Sequence, residues 1–312
     1  MQLHHYVNLF GQDLKRRLGE RVHKLTLHGA FSCPNRDGTL GRGGCTFCNV
    51  ASFSEEAMQH KSIQEQLDHQ RQNIHRAKRY LAYFQAYTNT YAEVEQLRNM
   101  YQQALSVADI AGLCVGTRPD CVPDEVLQLL AGYQMQGYEI WLELGLQTAQ
   151  DKTLQRINRG HDFAAYQNAV ERAHRYGLKV CTHLIVGLPG EGMTDYQDTL
   201  ARVVEQPGCH GIKLHPLHIV TGSKMAQAWQ AGRLQAMDAQ SYIEAATSLI
   251  QHTPSRIVYH RVSAMARQPT LLAPLWCADR WRAMVGIGQA LAQSGAQGSA
   301  IGDPFVFPHD CD

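Results

Sequence analysis

Six short apolar runs, each followed by a stretch of helical character, constrain the fold of this 312-residue chain more than any other feature. The strand-like runs fall at 22–27, 81–87, 110–116, 138–144, 179–186 and 211–217. Helical sequence follows at 62–80, 92–105, 124–136, from 162 or 163 to 176, and at 194–205, with more at 224–231 and 239–251. Pro123 and Asp124 mark the third of these helices, because proline presets the first-turn φ and an acidic residue suits a helix N-terminus. Strands that alternate with helices pair in parallel through right-handed crossovers. An open doubly wound sheet and a barrel both satisfy that order. Side-chain alternation favours a barrel-like α/β shape. Gln85 shares a strand face with Asn89, and Glu143 shares one with Gln147. Polar residues near the C-terminal ends of consecutive parallel strands are where α/β barrels build their sites. Any one of them alone reads as a strand-end cap; several strands together read as a shared site.

Composition narrows the class. Hydrophobic residues at 44% and charged residues at 18% describe a globular chain, not a disordered one. No apolar run reaches 18 residues, and positions 1–11 lack the basic and apolar regions of a signal peptide, so a soluble cytoplasmic protein with no membrane association is expected. Lys and Arg total 29 against 28 Asp and Glu, which excludes a uniformly basic nucleic-acid coat but not a local basic patch. Nine cysteines, an odd number in a reducing compartment, point to metal or catalytic thiols and away from a disulfide framework.

Three of those cysteines follow the first strand-like run. Cys33 is separated by eleven residues from Cys45, which opens Cys45-Thr46-Phe47-Cys48, and the intervening loop is rich in glycine. The short Cys-x-x-Cys spacing brings two thiolates to one side, and glycines let backbone N–H groups turn towards anionic sulfur. Three chemistries compete for this pattern. A structural zinc site needs a fourth ligand such as His28. A thioredoxin-like redox pair uses Cys45 and Cys48 and leaves Cys33 idle. An iron–sulfur cluster with three protein ligands leaves one iron open to a small molecule. The loop's place at the end of the first strand, and Phe47 before the last cysteine, favour the third.

On these residues the chain resembles the radical S-adenosylmethionine (SAM) superfamily. The long first spacing departs from the commonest superfamily pattern and is similar to the branch that contains the catalytic subunit of Elongator. Further motifs extend the likeness to the YhcC-type bacterial proteins over nearly the whole chain. They are His23-Lys24-Leu25-Thr26-Leu27-His28-Gly29, the run from Phe84 to Tyr91, Gly116-Thr117-Arg118-Pro119-Asp120, the run from Trp141 to Gln147, Asn158-Arg159-Gly160-His161, and the run from His183 to Glu191.

The resemblance implies a (β/α)6 partial TIM barrel over 21–235, an N-terminal extension over 1–20 and a helical C-terminal extension over 236–312 packed on the barrel. It implies that Cys33, Cys45 and Cys48 hold a [4Fe–4S] cluster whose open iron takes SAM. A flavodoxin- or ferredoxin-type donor would then supply the electron that cleaves SAM to a 5′-deoxyadenosyl radical. By the same resemblance Phe47 packs near adenine, and Gln85, Tyr87 and Asn89 meet the methionine end of SAM. Glu143 suits the ribose diol, because a carboxylate accepts two hydrogen bonds. Arg159 pairs with the SAM carboxylate, and the fifth strand, around Leu184 to Gly187, lies against adenine.

Beyond the cofactor, the residues say less. Cys114 and Cys181 sit inside apolar strands and read as core. Cys277 reads as interface packing, with hydrogen-atom donation as its functional alternative. His215, after the sixth strand, is a candidate substrate contact or acid–base group if it points inward with Lys213. Tyr259, His260, Arg261, Arg267, Arg280 and Arg282 form a loose basic and aromatic set suited to RNA phosphates and bases. The Elongator-like resemblance makes a tRNA base, with the wobble uridine as one candidate, the leading substrate and tRNA the leading partner. Radical chemistry on a small metabolite or cofactor intermediate is the alternative, and a non-catalytic iron–sulfur or zinc sensor is a third reading.

Overall fold

The computed structural model of the protein describes residues 2–49, 60–72, 74 and 76–308. Seven parallel strands form one curled sheet: β1 (Val22–Leu27), β2 (Arg79–Phe84), β3 (Ile110–Thr117), β4 (Glu139–Gln147), β5 (Lys179–Val186), β6 (Cys209–Pro216) and β8 (Val258–Arg261). Each of the first six pairs with its sequence neighbour, as short right-handed crossovers require. A small antiparallel pair, β7 (Ile219–Val220) with β9 (Leu271–Ala273), lies outside the main sheet. The architecture is the half-barrel expected from the βα series, with one strand more. That strand shows only four residues of sequence, too few for a period to declare itself; pairing with β6 makes it a strand.

Helices cover the outer face: α3 (Ile63–Arg71), α4 (Val94–Leu105), α5 (Asp124–Met135), α7 (Phe163–Arg175) and α8 (Met193–Val204), with α10 (Ala239–Gln251) and α11 (Arg280–Ser294) from the C-terminal segment. Short helices α2 (Pro34–Asp37), α6 (Asp151–Arg156) and α9 (Lys224–Gln230) occupy loops after β1, β4 and β7. Helix α3 starts in a capping box between Ser62 and Glu65. It stops at Arg71, well short of residue 80, because Arg79 and Tyr80 already pair with Val22 and His23 of β1; positions 73 and 75 lie outside the described residues. At the other end β2 stops at Phe84, because the chain leaves the extended region, with Tyr87 at φ 65°.

The two faces of the sheet are chemically different. Leu25, Leu27, Phe84, Leu113, Leu142, Leu184 and Leu214 point outward into the large core beneath the helices. Leu81, Tyr83, Cys114, Trp141, Cys181 and Val258 point inward and pack on Phe10 and Leu14. Those two residues belong to α1 (Phe10–Leu18), which plugs the N-terminal end of the half-barrel. Burying each contributes roughly 1.5–3 kcal/mol. Cys114 and Cys181 are thus core thiols, as their apolar strands indicated.

Glu139, at the start of β4, ties the plug down. Its carboxylate accepts two hydrogen bonds from Arg17 of α1, at 2.7 and 2.9 Å, two from Lys179 of β5, at 2.9 and 3.0 Å, and one from Trp141 Nε1 at 2.7 Å. Burial raises its pKa, but the hydrogen bonds and charges of Arg17 and Lys179 prevail and lower it from 4.5 to about 2. Because the folded-state pKa lies below the unfolded one, the stabilisation is complete above pH 4.5 and disappears as pH falls towards 2. Glu139→Gln is expected to cost about 2 kcal/mol at neutral pH, at the low end for a broken partly buried network. In denaturant titrations the gap to wild type should narrow at pH 3; a constant gap would mean that the carboxylate's charge does not hold α1.

Candidate active site

The C-terminal ends of the strands open onto a cavity of about 280 Å³. Its rim is the loop after β1, which carries Cys33, Cys45, Phe47 and Cys48. The opposite wall comes from β5, β6 and β8, with His183, Lys213, His215 and Arg261. Gln85 and Tyr87 after β2, Arg118 after β3, and Glu143 and Gln147 of β4 fill the space between.

The rim loop is held by a second loop, residues 157–160. Asn35 Nδ2 donates to the Asn158 carbonyl at 2.6 Å, Asn158 Nδ2 donates to the Gly44 carbonyl at 2.8 Å, and Thr46 N–H donates to the Ile157 carbonyl at 2.9 Å. Arg36 Nη2 closes the loop on itself by donating to the Cys48 carbonyl at 2.9 Å. Gly44 permits this at φ 75°, where a Cβ would stand 2.8 Å from Arg36 Nε. Arg159 crosses β4, donates through Nε (3.1 Å) and Nη2 (2.5 Å) to the Gly145 carbonyl, and places Nη1 3.4 Å from Cys45 Sγ. It can do so because residue 145 is glycine; a Cβ there would lie 2.8 Å from Nη2. Asn35 Nδ2 lies 3.7 Å from the same sulfur. Burial pushes the Cys48 thiol up, and Arg36 opposes it.

All three thiols are free. Among the described residues no three His, Cys, Asp or Glu side chains converge as a set for a single metal ion, and His28 Nδ1 is taken by the Ala30 N–H at 3.1 Å. His28 Nε2 is buried without a partner, but it joins no such set with the three cysteines. A [4Fe–4S] cluster fits these residues, since it spreads three thiolates over three irons and is stabilised by N–H donors near its sulfurs, here from Arg159 and Asn35.

The inner wall is organised by Glu143, which is fully buried. Lys24 Nζ donates to it at 2.5 Å, Lys213 Nζ donates to its other oxygen, and His183 Nε2 lies 2.9 Å from that second oxygen. His260, stacked on Phe10, lies 3.0 Å from Lys24 Nζ. Lys213 also donates to the Tyr83 hydroxyl at 3.0 Å. Burial would raise the Glu143 pKa, but the ammoniums of Lys213 and Lys24 and its histidine hydrogen bonds hold it well below the usual carboxylate range. Burial pushes Lys213 down to about 8 and His183 down to about 4.

The structure gathers most of the residues singled out in the sequence, but not all. Cys33, Cys45, Cys48, Phe47, Gln85, Tyr87, Glu143, Arg159 and His215 all face the one cavity. Leu184 does not: the strand's period of two turns it outward into the core, and its neighbours His183 and Ile185 face inward instead. Gly187 lies past the strand against Met237 and Leu217. Asn89 is buried as a tie between strands, its Nδ2 donating to the carbonyls of Phe84 and Gly116 at 3.2 and 2.6 Å. Cys277 is 1% exposed in the core and does not line the cavity, so burial, not chemistry, explains its place. Both Glu143 oxygens, offered by sequence to a ribose, are engaged by lysine and histidine. Tyr259 and His260 are wholly buried, which removes them from the basic and aromatic set suited to RNA.

Lys24, Tyr83, His183 and Arg118 carry no site role on sequence grounds. The signal for Lys24 is its parity: it alternates with Leu25 and Leu27, which are outward, and so must point inward.

Comparison with known proteins identifies the family. The Radical SAM superfamily profile matches residues 38–203, and the Radical_SAM C-terminal domain matches residues 209–293. Protein YhcC of Escherichia coli is 66% identical over 308 residues, 99% of each chain. The tRNA uridine(34) acetyltransferase of Dehalococcoides mccartyi is 33% identical over 124 residues, 39% of this chain and 26% of its own. Among solved structures, the archaeal Elp3 of Methanocaldococcus infernus shares the fold with a TM-score of 0.65 at 14% identity, covering 88% of this chain and 64% of its own. No helix among the described residues is long and apolar enough to cross a membrane. The chain belongs to the radical SAM superfamily, a family of enzymes that use a [4Fe–4S] cluster and S-adenosylmethionine, and its near relatives there are YhcC-type proteins.

Proposed function

We propose that Cys33, Cys45 and Cys48 hold the cluster, that SAM binds beside it, and that the enzyme modifies a base of tRNA, with the wobble uridine as the candidate position. One observation carries the first part: three free thiols and Arg159 share the cavity at the C-terminal ends of the strands. When bound, the cluster and SAM supply an electron and, from reductive cleavage of SAM, a 5′-deoxyadenosyl radical that removes a hydrogen atom. The chain's own residues bind, orient and seal. Phe47 offers a face for adenine, Gln85 and Tyr87 offer polar groups to the methionine end, and Arg159 offers a guanidinium for its carboxylate. The closed N-terminal end, packed with Phe10, Leu14 and Trp141, keeps water and stray hydrogen donors from reaching the site from below.

Two observations support tRNA as the substrate. The chain shares a partial likeness with a tRNA uridine(34) acetyltransferase. Exposed Arg42, Lys224 and Arg267 also flank residues that line the cavity, a placement suited to backbone phosphates. The test is anaerobic turnover of reconstituted protein with SAM and a chemical reductant in place of a flavodoxin- or ferredoxin-type donor, with and without tRNA from cells lacking the enzyme. Addition of tRNA is expected to raise 5′-deoxyadenosine formation about tenfold and to change the mass of one nucleoside, assigned to the wobble position by sequencing. Unchanged nucleosides and no stimulation, together with turnover on a small-molecule extract, would replace tRNA by a metabolite.

A further inference from the structure

We propose that the β6–β8 wall of the cavity is an oxyanion-binding site, built by buried Lys213 and the more exposed Arg261 with His215 beside them, which takes a carboxylate or phosphate on the part of the substrate that enters the cavity. This rests on the reading of the cavity as a radical SAM active site, and it adds the chemical character of the group bound opposite the cluster loop.

The argument begins with charge. Two lysines, Lys24 and Lys213, pair with one buried carboxylate, Glu143, and a third basic residue, Arg261, lines the same cavity. Glu143 answers Lys24 and Lys213 together and leaves the wall net positive. Arg261 forms no ion pair with any described residue, although it lines the cavity. Lys213 is 4% exposed and has two acceptors, Glu143 and Tyr83, for its three N–H donors. His215 Nε2 is buried with no hydrogen-bond partner in the protein. The spare Lys213 donor and His215 Nε2 are costly to bury unless a ligand completes them.

Position separates this set from the cofactor's cation. Lys213 and Arg261 are register partners on β6 and β8, so both side chains project from the same face of adjacent strands. The cysteines stand on the loop after β1, whereas Lys213 and Arg261 stand on β6 and β8, which the curl of the sheet brings round to face β1. Arg159, the cation beside that loop, is already committed to the Gly145 carbonyl and faces Cys45. With Arg159 so engaged, Lys213 and Arg261 are left for a second anionic group in the same cavity, which we assign to the substrate.

The experiment is thermal unfolding of the anaerobically reconstituted protein titrated with sodium acetate or inorganic phosphate, against sodium chloride at equal ionic strength, with and without saturating SAM. Ligand stabilisation follows the logarithm of concentration over Kd. Wild type is expected to rise in Tm with one of the two oxyanions beyond the chloride control. Arg261→Gln is expected to weaken that response about tenfold, or ~1.4 kcal/mol, while Arg261→Lys keeps most of it. Lys213→Met should weaken it too, but that change strips a partner from Glu143, so Arg261→Gln, which breaks no internal ion pair, is the deciding variant. Preference for acetate identifies a carboxylate on the substrate, and preference for phosphate a nucleotide phosphate. Equal responses of wild type and Arg261→Gln, or a response erased by SAM, would overturn the proposal; in the second case the site belongs to the cofactor. Because the readout needs neither RNA nor turnover, it can fail or succeed independently of the tRNA reading.

Discussion

Replacing Cys33, Cys45 or Cys48 singly with alanine is expected to lower 5′-deoxyadenosine formation by at least about three orders of magnitude and to leave the fold intact. The second half of that expectation follows from where the loop gets its rigidity. Its anchors are side chain–backbone bonds made by Asn35, Arg36 and Asn158, and none requires a sulfur. Cys33 and Cys48 are only partly buried, so their truncation opens no core cavity, whereas truncating buried Cys45 is expected to cost up to about 1 kcal/mol. Arg159 loses one contact at Cys45 and keeps two at Gly145. Iron and sulfide content, the visible absorption of the cluster and Tm should be read together: iron falls, absorption disappears and Tm stays close to that of cluster-free wild type, because the bound cluster itself adds stability. Cys277→Ala is the control with the opposite signature. Its thiol is buried in the core, so stability falls by about 1 kcal/mol while iron content holds. Retention of iron by all three rim variants would mean that the cluster sits elsewhere.

Glu143→Gln is expected to destabilise the protein by about 3–5 kcal/mol, the cost of leaving buried charge without its counterion. Glutamine keeps the shape but removes the charge that faces Lys24 and Lys213, both within the half-barrel. A second change that removes one ammonium, Lys24→Met, should restore about 1–3 kcal/mol in the double variant, because the two effects share one network. Urea unfolding of the four proteins in this cycle measures the coupling. The alternative role, a hydrogen bond to the SAM ribose, makes a different set of predictions: a raised KM for SAM, an unchanged Tm and no rescue by Lys24→Met. The cycle therefore decides whether Glu143 acts mainly on the cofactor or mainly on the cations that shape the inner wall.

The distinction between these roles shows where sequence stops being informative. Glu143 stands out in the sequence as an acidic residue in an apolar strand, and its parity with Gln147 points it to the inner face. Its partners come from β1, β5, β6 and the segment at His260, between 40 and 119 residues away in the chain. Nothing local in the sequence of Lys24 or Lys213 announces that they meet across the half-barrel. In the same way the Asn158-Arg159-Gly160-His161 motif is legible as a motif, yet its work, to clamp the cysteine loop and to bring a guanidinium to Cys45, depends on loops far apart in sequence.

Sequence by itself determined the parallel βα order, the inward parity of the strand residues and the three cysteines with their spacing, because periodicity and short loops are local properties that survive in one dimension. The family resemblance placed the stretch around Leu184 against adenine, and the strand's period of two turned the Leu184 side chain outward. Only the tertiary structure decided the seventh strand, the commitment of Asn89 to neighbouring carbonyls, the burial of Cys277 and the charge cluster around Glu143. Each of these depends on which strands become neighbours when the sheet curls, and so on contacts that span the chain.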